Sequence, residues 1–199
     1  MIIAGAGGHG KEVRHVLIQQ GFSHSEISFF DEDPTRLIDS GILSSEETQA
    51  HFSKDSRFVL GVGNPFFREK LYNLLVALGG TLFGLTNHHP VLSEDLAYGF
   101  DEMPFSFIGP DTKIGLGVLV NTRAHIHHDC EVGDFSEIGP GAMMLGGSKI
   151  GKHCRIGAGV IVLPGVELGD GVIVGAGAVV TKSVFEKSTL VGIPAKTLI

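Results

Sequence analysis

From Ile108 to Val180 an aliphatic residue or methionine recurs at every sixth position: Ile108, Ile114, Val120, Ile126, Val132, Ile138, Met144, Ile150, Ile156, Val162, Leu168, Val174 and Val180. The next position is usually glycine, and the position four after the aliphatic residue is small or β-branched, from Thr112 and Val118 to Ala178 and Val184. A repeat this short buries its apolar residue only by stacking on copies of itself, so the run predicts a solenoid. Three hexads make one triangular coil of 18 residues. At that interval Lys113, Glu131, Lys149 and Glu167 alternate in sign, as do Asp134, Lys152 and Asp170, and Glu137 with Arg155. Stacked strands bring such residues side by side, where opposite charges attract mildly. The ladders predict a three-sided parallel β-prism.

The remaining composition narrows the class. A formal charge of −7 leaves no basic footprint for nucleic acid. The 29 glycines and 19% charged residues fit tightly turned β structure rather than disorder. No apolar run approaches the roughly 18 residues that span a bilayer, and no signal peptide precedes Gly5. A cytoplasmic protein without membrane insertion is the expectation. Cys130 and Cys154 both take the small interior hexad position, 24 residues apart and therefore on different corners. They are expected to be unbridged core fillers.

Before the repeat the pattern changes. Residues 1–5 read as a buried strand, Lys11–Gln20 as a helix and Ile27–Phe30 as a second strand. A helix near Ser45–Phe52, a strand at Arg57–Gly61 and a helix at Pro65–Leu78 follow. This alternation predicts a small parallel α/β domain with about three strands over residues 1–85. A connecting segment at 86–107 carries Asn87-His88-His89-Pro90, the repeat domain covers 108–185, and 186–199 caps its open end. The first strand runs into Gly5-Ala-Gly7-Gly8-His9-Gly10, and Asp31 lies 21 residues past Gly10 at the end of the next strand. Such a turn presents helix N-terminal N–H groups to phosphate oxygens, with an acid placed for a ribose. Three strands are too few for two mononucleotide halves, so a nucleotide-sugar fits better than NAD.

Titratable chemistry concentrates in one part of the prism: Asn121, His125, His127, His128 and Asp129, with His153 further on. His128-Asp129 suits acyl transfer, because a histidine takes the proton and a carboxylate holds its tautomer. Adjacent strand residues face opposite ways, so this pair requires a bend at a hexad corner. The 18-residue register puts Pro110 and Gly146 beside His128, and Gly147 and Gly165 beside Asp129, leaving an open groove there. His125, His127 and His153 read rather as solvent-facing corner residues.

These residues together resemble the left-handed β-helix (hexapeptide-repeat) sugar acetyltransferases of the sialic acid O-acetyltransferase and bacillosamine or perosamine N-acetyltransferase type. The likeness rests on Gly-Ala-Gly-Gly-His-Gly-Lys at 5–11, Phe-Asp-Glu-Asp at 30–33, Gly-Val-Gly-Asn at 61–64, Arg68 and His89-Pro90. It continues through Asn121, His-Asp-Cys at 128–130, Gly133-Asp134, Pro-Gly-Ala at 140–142 and Val-Gly-Ile-Pro-Ala-Lys at 191–196. The resemblance implies a Rossmann-like α/β domain followed by a left-handed parallel β-helix. It also implies a homotrimer with active sites between neighbouring prisms.

The implied reaction is acetyl transfer from acetyl-CoA to the amine of a nucleotide-linked sugar of the UDP-4-amino type. O-acetylation of a sialic acid type sugar, or a non-catalytic binding trimer, are the alternatives. The residues themselves leave UDP, GDP and CMP open. By resemblance His128 is the base, Asp129 its orienting acid and Asn121 a polar group at the reacting end. Gly7, Gly8, His9, Gly10, Asp31, Glu32 and Asn64 would meet the nucleotide-sugar. Glu137, Gly146, Ala176 and Lys196 would meet acetyl-CoA. No metal is expected, since the histidines are too local for a three-histidine zinc centre shared between subunits. Two positions depart from the family. Where relatives often carry a histidine that donates towards the thioester oxygen, this chain has Glu137, which does not donate when ionised. The register makes it a surface partner of Arg155, which leaves a backbone N–H, that of Gly146, for the oxyanion. His127 stands where relatives often have an acid.

Overall fold

The computed structural model describes residues 1–33, 41–85 and 99–198. Asn87-His88-His89-Pro90 and Pro34 lie outside the described residues. The chain divides into two compact units, Met1–Leu85 and Thr86–Ile199.

In the first unit β1 (Ile2–Ala4) leads into α1 (Gly8–Gln19). β2 (Ser28–Phe30), β3 (Ile42–Leu43), α2 (Ser45–Phe52), β4 (Arg57–Leu60), α3 (Pro65–Ala77) and β5 (Thr81–Leu82) follow. All strands are parallel in the order β3-β2-β1-β4-β5. The sequence predicts about three strands; the two extra ones are two-residue edges, too short to show any alternation of side chains. Buried Ile2, Ala4, Phe30, Phe58, Leu60, Leu71 and Leu75 form the core between sheet and helices. Each fully buried large aliphatic or aromatic side chain there contributes about 1.5–3 kcal/mol of transfer free energy. α1 starts three residues earlier than the sequence predicts. Gly7 is its N-cap, and the Lys11 N–H already donates to the Gly7 carbonyl at 3.2 Å. The glycine turn is thus itself the first helical turn. α2 opens on a capping box, Ser44 Oγ accepting from the Glu47 N–H and Glu47 accepting from the Ser44 N–H.

The second unit is the expected prism. Two-residue strands stack into three parallel faces at the 18-residue interval. The first face holds Phe107–Ile108, His125–Ile126, Met143–Met144, Ile161–Val162 and Val179–Val180. The second holds Lys113–Ile114, Glu131–Val132, Lys149–Ile150 and Glu167–Leu168. The third runs from Asp101–Glu102 through Leu119–Val120, Glu137–Ile138, Arg155–Ile156 and Ile173–Val174 to Thr189–Val191. There Lys196–Thr197 turns back antiparallel on Thr189–Val191. The hexad aliphatics point inward and form one continuous core with Ala124, Cys130, Ala142 and Cys154.

The charge ladders form as the register requires. Lys113 meets Glu131 at 3.4 Å, Lys149 meets Glu167 at 3.5 Å and Lys152 meets Asp134 at 2.8 Å. Exposed pairs of this kind contribute about 0–1 kcal/mol each. Asp134 also accepts from the Leu116 N–H in the preceding coil, at 3.0 Å. The Lys152 hydrogen bond, helped by that amide, holds the Asp134 carboxyl below its ordinary range. Two details differ from the sequence reading. Arg155 Nε donates to Glu137 Oε2 at 2.9 Å, but Glu137 is only 7% exposed, so the pair is half-buried rather than on the surface. The coils also begin within the segment read as a connection: Asp101–Glu102 pairs with Leu119–Val120, and Glu102 fills an inward position. Its Oε1 accepts from Ser106 Oγ at 3.0 Å. A carboxylate in an aliphatic column hid this coil from the hexad pattern.

Cys130 and Cys154 are free and fully buried, on different corners. Burial pushes the Cys154 thiol up to about 11, so little of the reactive thiolate exists near neutrality. Native protein at pH 8 should therefore take up no iodoacetamide on either cysteine, and unfolded protein should take up two equivalents. Mass spectrometry of both samples checks this; rapid native labelling of Cys154 would contradict the burial argument.

Candidate active site

His128 and Asp129 form the tight turn between the first and second faces. Asp129 takes a left-handed conformation, φ 59°, which Asp tolerates better than most side chains. The column below it continues left-handed through Gly147 and Gly165, φ 70° and 67°. This corner supplies the bend that the pair requires. His128 Nδ1 lies 2.7 Å from Asp129 Oδ2. An ionised carboxylate only accepts, so Nδ1 carries the proton and Nε2 is left to take one. The backbone fixes the turn from both neighbouring coils. The Asp129 N–H donates to the Pro110 carbonyl at 3.1 Å, and the Gly147 N–H to the His128 carbonyl at 3.0 Å. Thr112 Oγ1 adds a bond to the His127 carbonyl at 2.9 Å. Both side chains are largely exposed, 62% and 64%, as a site that meets substrates from solution needs.

Gly146 lies against the other edge of the imidazole. A Cβ built there would fall 2.6 Å from His128 Nε2 and Cε1, so only glycine leaves the ring its position. Among the described residues the Gly146 N–H donates to no acceptor. An unpartnered amide therefore stands near an imidazole nitrogen with proton-accepting capacity. That combination serves acyl transfer.

The other residues singled out in the prism are placed elsewhere. Asn121 and Ala176 belong to the corner between the third and first faces. Asn121 Oδ1 accepts from the Thr122 N–H at 2.8 Å, so its amide NH₂ is the group it presents. Glu137 points out from the third face towards Arg155, and Lys196 is exposed in the terminal antiparallel strand. His153 stacks on Phe135 with centroids 5.9 Å apart and planes 13° apart. His125 and His127 lie edgewise or tilted to Phe107 at 6.2 and 6.4 Å. Each of the three thus contacts an aromatic ring of a neighbouring coil. Among the described residues no group of three or more His, Cys, Asp or Glu is placed to hold a metal ion. None of the described helices is long and apolar enough to cross a membrane.

In the first unit the glycines of the α1 turn divide their roles. A Cβ on Gly10 would strike the Gly5 carbonyl oxygen, so Gly10 serves close packing of helix on strand. Gly8 is exposed with open space around it. His9 Nδ1 lies 3.1 Å from Glu12, and Asn64 caps α3 by accepting from the Phe66 N–H at 3.1 Å. Asp31 is built into the turn: Oδ2 accepts from the Ala6 N–H at 2.7 Å and Oδ1 from the Asp33 N–H at 2.9 Å. A cavity of about 290 Å³ opens beside it, lined by Asp31, Glu32, Asp33, Val62, Phe67 and Leu71. Phe67 and its neighbour Lys70, which meets Glu32 at 2.8 Å, escaped the sequence reading. Their only signal is helical spacing, Phe67 to Lys70 at three residues and Phe67 to Leu71 at four.

Comparison with known proteins matches both units in order. The model of the PglD N-terminal domain matches residues 1–75, and that of the bacterial transferase hexapeptide (six repeats) matches residues 147–182. PerB from Caulobacter crescentus, solved in complex with CoA and GDP-perosamine, is 30% identical, covering 99% of this chain and 96% of that one, with a TM-score of 0.87. The acetyltransferase domain of PglB from Neisseria gonorrhoeae FA1090, solved with acetyl coenzyme A, is 30% identical over 99% and 98%, with a TM-score of 0.87. WeeI from Acinetobacter baumannii AYE is 28% identical over 99% and 98%, with a TM-score of 0.79. The chain therefore belongs to the hexapeptide-repeat sugar acetyltransferases, acyltransferases that join a PglD-type N-terminal domain to a left-handed parallel β-helix.

Proposed function

We propose that this protein transfers the acetyl group of acetyl-CoA directly to the amine of a nucleotide-linked amino sugar, with His128 as general base. The observation that carries this reading is the 2.7 Å His128–Asp129 pair, with Gly146 against the far edge of the imidazole. The amine nitrogen attacks the thioester carbonyl and forms the new C–N bond. His128 Nε2 takes the proton that the nitrogen loses, and Asp129 stabilises the resulting imidazolium. The Gly146 N–H donates to the oxyanion. Collapse breaks the C–S bond, and the imidazolium returns its proton to the departing thiolate. Glu137, held by Arg155, takes no donor role in this scheme.

The reading includes a homotrimer. Asn121 and Ala176 occupy a different corner of the prism from His128 and Gly146, so a site that uses all four is completed by a neighbouring copy. The first face suits that contact, because its outward ladder is Phe107, His125, Met143, Ile161 and Val179. The second face carries the Lys–Glu ladder and stays solvated. Lys196 supplies an exposed cation for the nucleotide end of acetyl-CoA. In the first unit the α1 turn, Gly7 to Gly10 with His9, receives the diphosphate, and Asp31, Glu32 and Asn64 flank the nucleoside end of the ligand. Its co-substrates favour a cytoplasmic enzyme.

Thiol release from acetyl-CoA tests the reading against GDP-perosamine, UDP-4-amino sugars and free sialic acid. Release with an amino-sugar nucleotide and formation of the N-acetyl product are expected. Release with sialic acid alone would make the protein an O-acetyltransferase. Nucleotide-sugar binding with no release from any acceptor would make it a non-catalytic binding trimer.

A further inference from the structure

The cavity between the β2 and β4 ends has one apolar wall and one charged edge, and the two ask for different parts of one ligand. Val62, Phe67 and Leu71 make the wall. Phe67 is 56% exposed although it lines a cavity, which leaves an aromatic face for a planar ring to stack on. The edge is formed by three consecutive carboxylates, Asp31, Glu32 and Asp33. Asp31 accepts a backbone N–H at each oxygen, which ties its side chain to the turn. Glu32 differs. Lys70, three residues beyond Phe67 on α3, holds one of its oxygens at 2.8 Å, and among the described residues Glu32 has no other hydrogen bond. The carboxylate is thereby positioned and retains free acceptor capacity.

We infer that this cavity is a base-reading pocket selective for guanine, with Glu32 accepting from the base edge, Phe67 stacking on the ring and Lys70 as a positioning residue. The inference rests on the proposed use of a nucleotide-linked sugar and replaces the uridine nucleotide that the sequence resemblance implies. Its basis is the pattern of donors on each base. Guanine alone presents two adjacent donors, N1–H and the N2 amino group, that match the two oxygens of a carboxylate. Uracil presents a single N–H between two carbonyl oxygens, both of which a carboxylate repels. Cytosine and adenine each pair one amino group with an unprotonated ring nitrogen, so the second carboxylate oxygen meets a lone pair.

Calorimetric titration of the full-length protein with GDP and with UDP tests this separately from turnover. Wild-type protein should bind GDP at least about tenfold more tightly than UDP, the scale of one bidentate side chain–base contact. Glu32→Gln should remove most of that preference by weakening GDP while leaving UDP nearly unchanged, with an unaltered thermal melt. Phe67→Ala should weaken both nucleotides together. Equal or tighter binding of UDP by wild-type protein, equal weakening of both nucleotides in Glu32→Gln, or no binding of either nucleotide would overturn the inference. A retained preference for GDP in a protein that releases no thiol from any acceptor would instead overturn the transferase reading and leave the base pocket standing.

Discussion

Replacing His128 with alanine lowers turnover by about 10²–10⁴-fold, the usual worth of a positioned general base. The loss should fall on kcat, because the imidazole acts only as the nitrogen–carbon bond forms. Stability should change little, since the side chain is 62% exposed and its removal opens no cavity in the aliphatic core. Assembly and acetyl-CoA affinity should also persist, as the backbone bonds that fix the corner come from Pro110 and Gly147. Steady-state kinetics, size-exclusion chromatography and acetyl-CoA titration on the same preparation separate these outcomes. Near-wild-type kcat in the variant would remove the base assignment.

Gly146→Ala should cost about 10²-fold in kcat, although it adds one methyl group and leaves the backbone N–H in place. The new Cβ would sit 2.6 Å from Nε2, so the ring must turn away and the 2.7 Å bond to Asp129 is strained or broken. A displacement of about 1 Å in a catalytic group is enough for a loss of that size. Gly147→Ala is the matched control. Its Cβ would meet nothing within 4 Å, but its φ of +70° opposes a side chain. That variant should lose about 1–2 kcal/mol of stability with much less effect on kcat. Melting curves and kcat for the two variants should therefore move in opposite order. Wild-type kcat in Gly146→Ala would show that the imidazole does not need the position seen beside this glycine.

The prism was legible because its physics is one-dimensional. Each hexad aliphatic packs on residues 18 away, and the Lys113–Glu131–Lys149–Glu167 ladder follows from that single interval. The same register placed Gly146 beside His128 and paired Glu137 with Arg155 before any coordinates. It did not reveal that Glu137 is buried, because burial depends on what covers a face and not on the spacing along it. It also missed the coil at Asp101–Glu102, where a carboxylate with one oxygen bonded by Ser106 replaces the expected aliphatic residue.

The first unit was legible in outline only. Its glycine turn declared the β1–α1 junction, while two-residue edge strands carry too little pattern to be seen. Its cavity is less legible still. Phe67 and Lys70 come from a helix, Glu32 from a loop 38 residues earlier, and no period connects them. By itself the sequence determined the repeat and the stacking register, since local spacing governs both, whereas the candidate base and its acid came from an adjacent His-Asp pair read with the family resemblance. Tertiary structure alone decided which carboxylates are free to act. Asp31 accepts from two backbone amides and Glu137 from Arg155, whereas Glu32 and Asp129 each meet one side-chain partner at a more exposed edge. An acceptor's availability depends on which donors the fold brings within about 3 Å of it, and that is a property of the packed chain.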